Sequence, residues 1–213
     1  REKFSISGSA LQDAYASLSS YKAIEGSIIL QTCNRTEVYA TTRNIEAGTK
    51  ELENFLRQFS GLGYHELKSY IYQPNCYDAI NHLFRVSSGL DSMILGENQI
   101  LGQVKEAYLE AIEAGVSDGV LNALFQKAIY VGKRVRTETD LDKYPISISA
   151  AAVELAKRCL GDLQNKRVMV VGAGEMSELT ARYLMKNGVQ SVVVSNRSYD
   201  KALQMAGSLQ GQA

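Results

Sequence analysis

The segment Ile28-Ile29-Leu30-Gln31-Thr32-Cys33-Asn34-Arg35-Thr36-Glu37 gathers the groups best able to act on an electrophile. An apolar run reads as a buried strand, and it ends in a polar cluster around one cysteine. A thiol becomes a strong nucleophile once it loses its proton, which a neighbouring guanidinium such as Arg35 and the open N–H groups of a turn both favour. A free cysteine at a strand end is also an ordinary small apolar residue. Further on, Gln99 and Gln103 stand four apart and share the polar face of a helix, with Glu97 just before it. That face is either simply solvated or a recognition set for a small zwitterion, with a carboxylate for an ammonium and amides for a side chain. His82 lies off the stripe Ile80, Leu83, Phe84 and Ser87, a position at which most histidines are exposed.

A second kind of chemistry is written near the C-terminus. The apolar strand Arg167-Val168-Met169-Val170-Val171 runs into Gly172-Ala173-Gly174-Glu175-Met176-Ser177 and a helix closing at Gly188. The glycines permit a tight turn and close approach of a pyrophosphate to a helix N-terminus, as in dinucleotide-binding units. Ser177 stands where a third glycine is usual. After the next strand, Ser191–Ser195, a ribose-binding Asp or Glu is replaced by Asn196-Arg197-Ser198. Arg197 suits a 2′-phosphate, which favours NADP over NAD.

Composition narrows the classes. Hydrophobic residues make up 45% and charged residues 22%, net charge is zero, and there is no tryptophan. A nucleic-acid partner would therefore be held by local patches and not by a global field. Cys33, Cys76 and Cys159 lie far apart and only two histidines are present, which argues against a metal site or a disulfide scaffold and suits a reducing cytosol. No stretch reads as a membrane span or signal peptide.

The elements that must position these groups follow from periodicity. Capping-box spacing at Ser9–Gln12 opens a helix with Leu11, Ala14, Tyr15 and Leu18 inward. Strands over Ile28–Leu30 and Thr36–Arg43 place Cys33 in their tight connection. A helix carrying Leu52, Phe55, Leu56 and Phe59 ends at Gly61 and Gly63, and Leu67–Gln73 reads as a third strand. Together these predict an α+β domain whose sheet is covered on one face. Asn75 can cap the helix that carries His82. Another helix, beginning near Glu97 or Asn98, buries Ile100, Leu101, Val104, Ala107, Tyr108, Ala111 and Ile112. A long helix through Leu121, Leu124, Phe125, Ala128, Gly132 and Val135 finishes in Lys133-Arg134-Val135-Arg136. Those cations answer the helix dipole or contact phosphate. The boundary is placed at Asp140–Tyr144, before Pro145, followed by a helix over Ser149–Leu160. The domains are thus 1–143, α+β, and 144–213, the first part of a Rossmann-type α/β domain whose sequence stops within the helix after the second strand.

Leu-Gln-Thr-Cys-Asn-Arg-Thr-Glu closely resembles the segment of glutamyl-tRNA reductases whose cysteine attacks the glutamyl ester of a charged tRNA, with Gln31 in place of serine. Asn81–Val86, Ser88–Lys105, Phe125–Lys127 and Lys133–Asp140 are similar to the same family in the same order. The resemblance implies that Cys33 is the nucleophile, that His82 protonates the leaving ribose oxygen, and that Thr32, Asn34, Arg35, Ser92, Glu97, Asn98, Gln99 and Gln103 bind the substrate. It implies a cysteine thioester that NADPH reduces to glutamate-1-semialdehyde, the first step toward 5-aminolevulinate and tetrapyrroles, with no metal. Gly172, Ala173, Gly174, Glu175, Met176, Ser177, Asn196, Arg197 and Ser198 would hold NADP(H). The family further implies a cytoplasmic enzyme that is a homodimer in its full-length form, with glutamate-1-semialdehyde aminomutase as a candidate partner and no membrane association. The rivals are a fragment that binds tRNA or NADP without turnover, and a shikimate-dehydrogenase-like oxidoreductase, since Val-Gly-Ala-Gly followed by Ser-Asn-Arg occurs there as well.

Overall fold

The computed structural model describes residues 4, 6, 8–32, 34–97, 99–139, 141 and 148–213. The chain divides into two compact units, Arg1–Pro145 and Ile146–Ala213. The boundary residues Asp140, Tyr144 and Pro145 lie outside the described residues.

In the first unit, strand β1 (Gly26–Gln31) pairs antiparallel with β2 (Thr36–Thr41) from Gly26↔Thr41 to Gln31↔Thr36. Gly26 through Leu30 are all buried, so β1 is covered on both faces, not on one as the sequence suggested. The reason is its run of successive apolar residues, Ile28, Ile29 and Leu30, each at most 1% exposed. Helix α1 (Ser9–Ser19) begins after Gly8, whose lack of a side chain leaves the cap unfilled, so Ser9 is the first helical residue and not the N-cap. Helix α2 (Ile45–Ser60) is capped by the Asn44 side chain, which accepts from Ala47 N, and ends at Gly61.

The expected third strand is absent: Tyr64–Lys68 forms a short helix, α3, and residues 69–75 run on without a ladder. Leu67 is fully buried while Tyr70 and Tyr72 are 66% and 60% exposed. A short apolar run of this kind satisfies helical and extended spacing alike. Side-chain bonds from Tyr72 to Glu37 (2.6 Å) and Gln73 to Glu53 (2.9 Å) hold the segment instead of strand pairing.

Helices α4 (Cys76–Ser87), α5 (Gln99–Glu113) and α6 (Gly119–Glu138) complete the unit. Helix α4 buries Leu83, Val86 and Ser87, whereas Ile80 is exposed. Helix α5 buries Ile100, Val104, Ala107, Tyr108 and Ala111 but leaves Leu101 half-buried and Ile112 exposed. Phe125 of α6 sits at the centre, edge-on to Tyr39 at 5.2 Å and stacked on Tyr108 at 6.1 Å. Gly132 is where α6 meets its neighbours most closely: a Cβ there would lie 2.6 Å from the Ser87 carbonyl oxygen and 2.9 Å from Leu101 Cδ1.

The second unit is helix α7 (Ile148–Leu160), then β3 (Arg167–Val171), α8 (Glu175–Lys186), β4 (Ser191–Ser195) and α9 (Tyr199–Ser208). Strands β3 and β4 are parallel, from Arg167↔Ser191 to Val171↔Ser195. Val192, Val194, Ala181, Leu184, Ala202 and Met205 belong to its own core. The expectation that the sequence stops inside α9 is not met, since the helix ends at Ser208. The chain turns back, and Gln212 exchanges backbone hydrogen bonds with Val192 (2.9 Å) and Val194 (2.7 Å) on the free edge of β4. Among the described residues no helix is long and apolar enough to cross a membrane, and no cluster of His, Cys, Asp or Glu could hold a metal ion.

Candidate active site

The β1–β2 connection is folded by Thr32. Its Oγ1 accepts from Asn34 N (3.1 Å) and Arg35 N (3.0 Å), and its own N–H donates to Arg35 O (2.9 Å). The Thr32 hydroxyl is therefore engaged within the turn, while Asn34 is exposed at its tip. Cys33 lies outside the described residues.

Strand alternation places Glu37 and Tyr39 on the inward face of β2, 8% and 9% exposed. A buried carboxylate needs donors to replace water, and Glu37 has four. Oε1 accepts from Arg35 Nη1 (3.2 Å), His82 Nε2 (2.9 Å) and the Tyr72 hydroxyl (2.6 Å), and Oε2 from the Tyr39 hydroxyl (2.5 Å). Burial alone would raise its pKa, but the bonds from His82, Tyr39 and Tyr72 and the His82 charge outweigh that and hold it at about 2. The two phenols move the other way: burial, and then their contact with the Glu37 carboxylate, push Tyr39 and Tyr72 up.

His82 lies off the buried stripe of α4, as its helix position suggested, but it is not exposed. Its side chain is 20% exposed, with Nδ1 3.5 Å from Asp91 Oδ2 and the ring edge-on to Tyr72 at 5.3 Å. Both ring nitrogens face carboxylates, and a neutral imidazole can donate to only one of them. Asp91 in turn is gripped by Arg85, through Nε (3.1 Å) and Nη2 (2.7 Å), and its backbone carbonyl accepts from Arg35 Nη2. Arg35 thus ties the strand turn to the 88–97 loop.

That loop closes through Gly96 N donating to Gly89 O (3.0 Å). Both glycines have left-handed φ, +75° and +77°, and a Cβ on Gly89 would meet Gly96 Cα at 3.1 Å, so neither tolerates a side chain. Ser92 and Glu97 are half-buried in the loop, and the Glu97 carbonyl accepts from Arg136 Nη2 (2.6 Å). Gln99 opens α5 and is exposed, and Gln103 is half-buried one turn on. Asn98 lies outside the described residues. A pocket of about 520 Å³ opens beside the network, with Glu37, Tyr72 and His82 in its wall among apolar residues such as Val38, Leu52 and Ile80. Ser92, Glu97, Gln99 and Gln103 do not line it.

Of the residues expected from sequence, the structure joins Arg35 and His82 in one network and sets Ser92 and Glu97 in the adjoining loop. Sequence reasoning missed Glu37, Tyr39, Tyr72, Arg85 and Asp91. The signal for Glu37 was present: it sits two residues from Tyr39 on a strand, so a core-facing Tyr39 makes Glu37 core-facing, and a buried acid must have partners.

In the second unit the Val171↔Ser195 pairing sets the loop after β3 and the loop after β4 at the same end of the sheet. Gly172, with φ +107°, donates its N–H to Ser195 O (2.7 Å). Gly174 is the N-cap of α8 without a side-chain cap, and a Cβ there would meet nothing within 4 Å. The first turn of α8 therefore has no side-chain cap and has open space at Gly174, and a helix N-terminus of this kind suits a phosphate. Ala173, Met176 and Ser177 are half-buried around it, and the Glu175 side chain lies outside what is described. Asn196 Nδ2 donates to Ser198 O (3.1 Å), shaping the second loop, and Arg197 is exposed. These groups fit a dinucleotide phosphate.

Comparison with known proteins relates each part of the chain to a family. Residues 1–139 match the family model of the glutamyl-tRNAGlu reductase N-terminal domain, and residues 154–213 match that of shikimate/quinate 5-dehydrogenase. Glutamyl-tRNA reductases of Pelotomaculum thermopropionicum and Carboxydothermus hydrogenoformans are 57% and 52% identical over 213 residues. The match takes in 100% of this chain and 48% and 47% of those proteins. The solved glutamyl-tRNA reductase of Methanopyrus kandleri superposes with a TM-score of 0.55 at 40% identity, covering 100% of this chain and 49% of that one. The chain spans about half the length of these relatives, and the similarity takes in the whole of it. It belongs to the glutamyl-tRNA reductase family.

Proposed function

We propose that this chain accepts the glutamyl group of glutamyl-tRNA on Cys33 and binds NADPH for its reduction to glutamate-1-semialdehyde. The observation that carries the reading is the Glu37-centred network, which anchors Arg35 and His82 beside the turn in which Cys33 follows Thr32 in sequence. Attack by the Cys33 thiolate on the ester carbonyl forms the C–S bond and breaks the C–O bond to ribose, and the departing oxygen takes a proton. His82, held by Glu37 and Asp91, carries that proton. Ser92, Glu97, Asn98, Gln99 and Gln103 read the glutamyl group, with Glu97 opposite its ammonium. NADPH, when bound, supplies hydride to the thioester carbon, and the thiolate leaves. Gly172–Ser177 hold the pyrophosphate, and Asn196, Arg197 and Ser198 the ribose with its 2′-phosphate. The same reading places the enzyme in a reducing cytosol, as a homodimer that passes its aldehyde to glutamate-1-semialdehyde aminomutase.

The deciding experiment is a mass spectrum after mixing with glutamyl-tRNA. Cys33→Ser should abolish the glutamyl adduct, while Cys76→Ser and Cys159→Ser, both at exposed thiols, should keep it. An adduct that survives Cys33→Ser would end the proposal.

A further inference from the structure

The exposed side of α6 carries Gln126, Lys127, Tyr130, Lys133, Arg134 and Thr137, three and four residues apart and so on one face. Tyr130 is 51% exposed. Lys127 Nζ stands 5.0 Å from the centre of its ring and the Arg134 guanidinium carbon 5.8 Å from it. Cation–π contacts of this kind hold two long cationic side chains near one place, which lowers the ordering cost when an anion arrives. One acid opposes them: Glu138 accepts from Arg134 Nε (2.7 Å) and Nη2 (2.9 Å).

The α5–α6 pair is polarised. Glu106, Glu110 and Glu113 interact at the end of α5 that precedes the start of α6. The cationic end of α6 is instead the one that touches the candidate site, where Arg136 donates to the Glu97 carbonyl. Lys127 to Arg134 spans about 10 Å of helix axis, which suits successive phosphates of one strand better than a single small anion. With zero net charge on the whole chain, such a patch has to supply the attraction locally.

We propose that the face of α6 centred on Tyr130 receives the phosphate backbone of the tRNA acceptor arm, so that the aminoacyl end reaches the neighbouring loop at Glu97. This inference rests on the reading of the chain as the acceptor of the glutamyl group. Lys127, Lys133 and Arg134 make the phosphate contacts, Tyr130 keeps two of them in place, and Glu138 weakens the surface by competing for Arg134.

The test is binding of uncharged tRNA across a salt series, with acylation of Cys33 by a small tRNA-free glutamyl thioester measured in parallel. Lys127→Ala combined with Arg134→Ala should weaken binding more than tenfold and flatten the slope of log K against log salt by about 1.5, two phosphate contacts' worth. Tyr130→Leu should weaken binding and leave the slope unchanged, because both charges remain. Glu138→Gln should tighten binding several-fold, an effect that misfolding cannot mimic. Acylation by the small thioester should be the same in all four proteins. If wild type binds tRNA and the double variant matches it in affinity and slope, the α6 surface is wrong and the assigned activity stands. If wild type takes no tRNA at all, both fall together.

Discussion

Burying a carboxylate costs several kcal/mol unless donors replace its lost water, and the four donors around Glu37 come from the β1–β2 turn, β2, α4 and the segment after α3. Their effect has a sign that can be measured. The Glu37 pKa falls from 4.5 to about 2, so the folded state binds this proton more weakly than the unfolded state does. The stabilisation is complete above about 4.5 and is lost as pH falls through about 2, and a depression of that size is worth roughly 3 kcal/mol. Glu37→Gln should therefore destabilise the first unit by about 2–4 kcal/mol at pH 7. The gap to wild type in urea melts should narrow steadily below pH 4.5, and a gap independent of pH would show that the charge of Glu37 is not what the network requires. Tyr72→Phe removes one donor and should cost about 1 kcal/mol while raising the Glu37 pKa, which carbon-detected NMR of the carboxyl reads directly.

Helices report their packing most plainly where a glycine interrupts them. Gly102 of α5 and Gly132 of α6 both lie inside helices, where alanine is preferred by about 1 kcal/mol. A Cβ on Gly102 meets nothing within 4 Å, whereas one on Gly132 runs into the Ser87 carbonyl and Leu101. Gly102→Ala should raise the melting temperature. Gly132→Ala should lower it, by about 1–3 kcal/mol of stability, since α6 must back away from α4. Equal shifts of one sign would refute the packing account. The same elements show what the sequence could reveal. Helices α2, α5 and α6 and strands β3 and β4 were legible because their apolar periodicity runs over whole elements. The segment 67–73 was not, since Leu67 is the one residue there with a core role and a single buried side chain carries no period. At the site, Arg35 and His82 were legible as residue types in a motif. The burial of their common partner Glu37 was readable from its spacing to Tyr39, but two of its partners, Tyr72 and His82, were not, since they lie 35 and 45 residues away.

At the scale of the whole chain, each unit has its own core and its own set of chemical groups, so damage to one set should leave the other working. The sharpest case is Arg197, exposed at the end of β4 beside the Gly172–Gly174 turn that β-pairing brings to the same end of the sheet. If its guanidinium meets the 2′-phosphate, it acts on a group that NADPH has and NADH lacks, so its removal must change the two affinities unequally. A charge-assisted phosphate contact contributes about 1.5–3 kcal/mol, or roughly ten- to a hundredfold. Arg197→Ala should therefore weaken NADPH binding by that factor, leave NADH binding within about twofold, and leave glutamyl transfer to Cys33 untouched. Cys33→Ser should do the reverse, abolishing the adduct and keeping the nucleotide preference. With no tryptophan in the chain, the fluorescence of the reduced nicotinamide can be excited and titrated without overlap from indole. Equal losses for the two nucleotides in the Arg197 variant would remove that side chain from the 2′-phosphate and overturn the proposed choice of NADP over NAD.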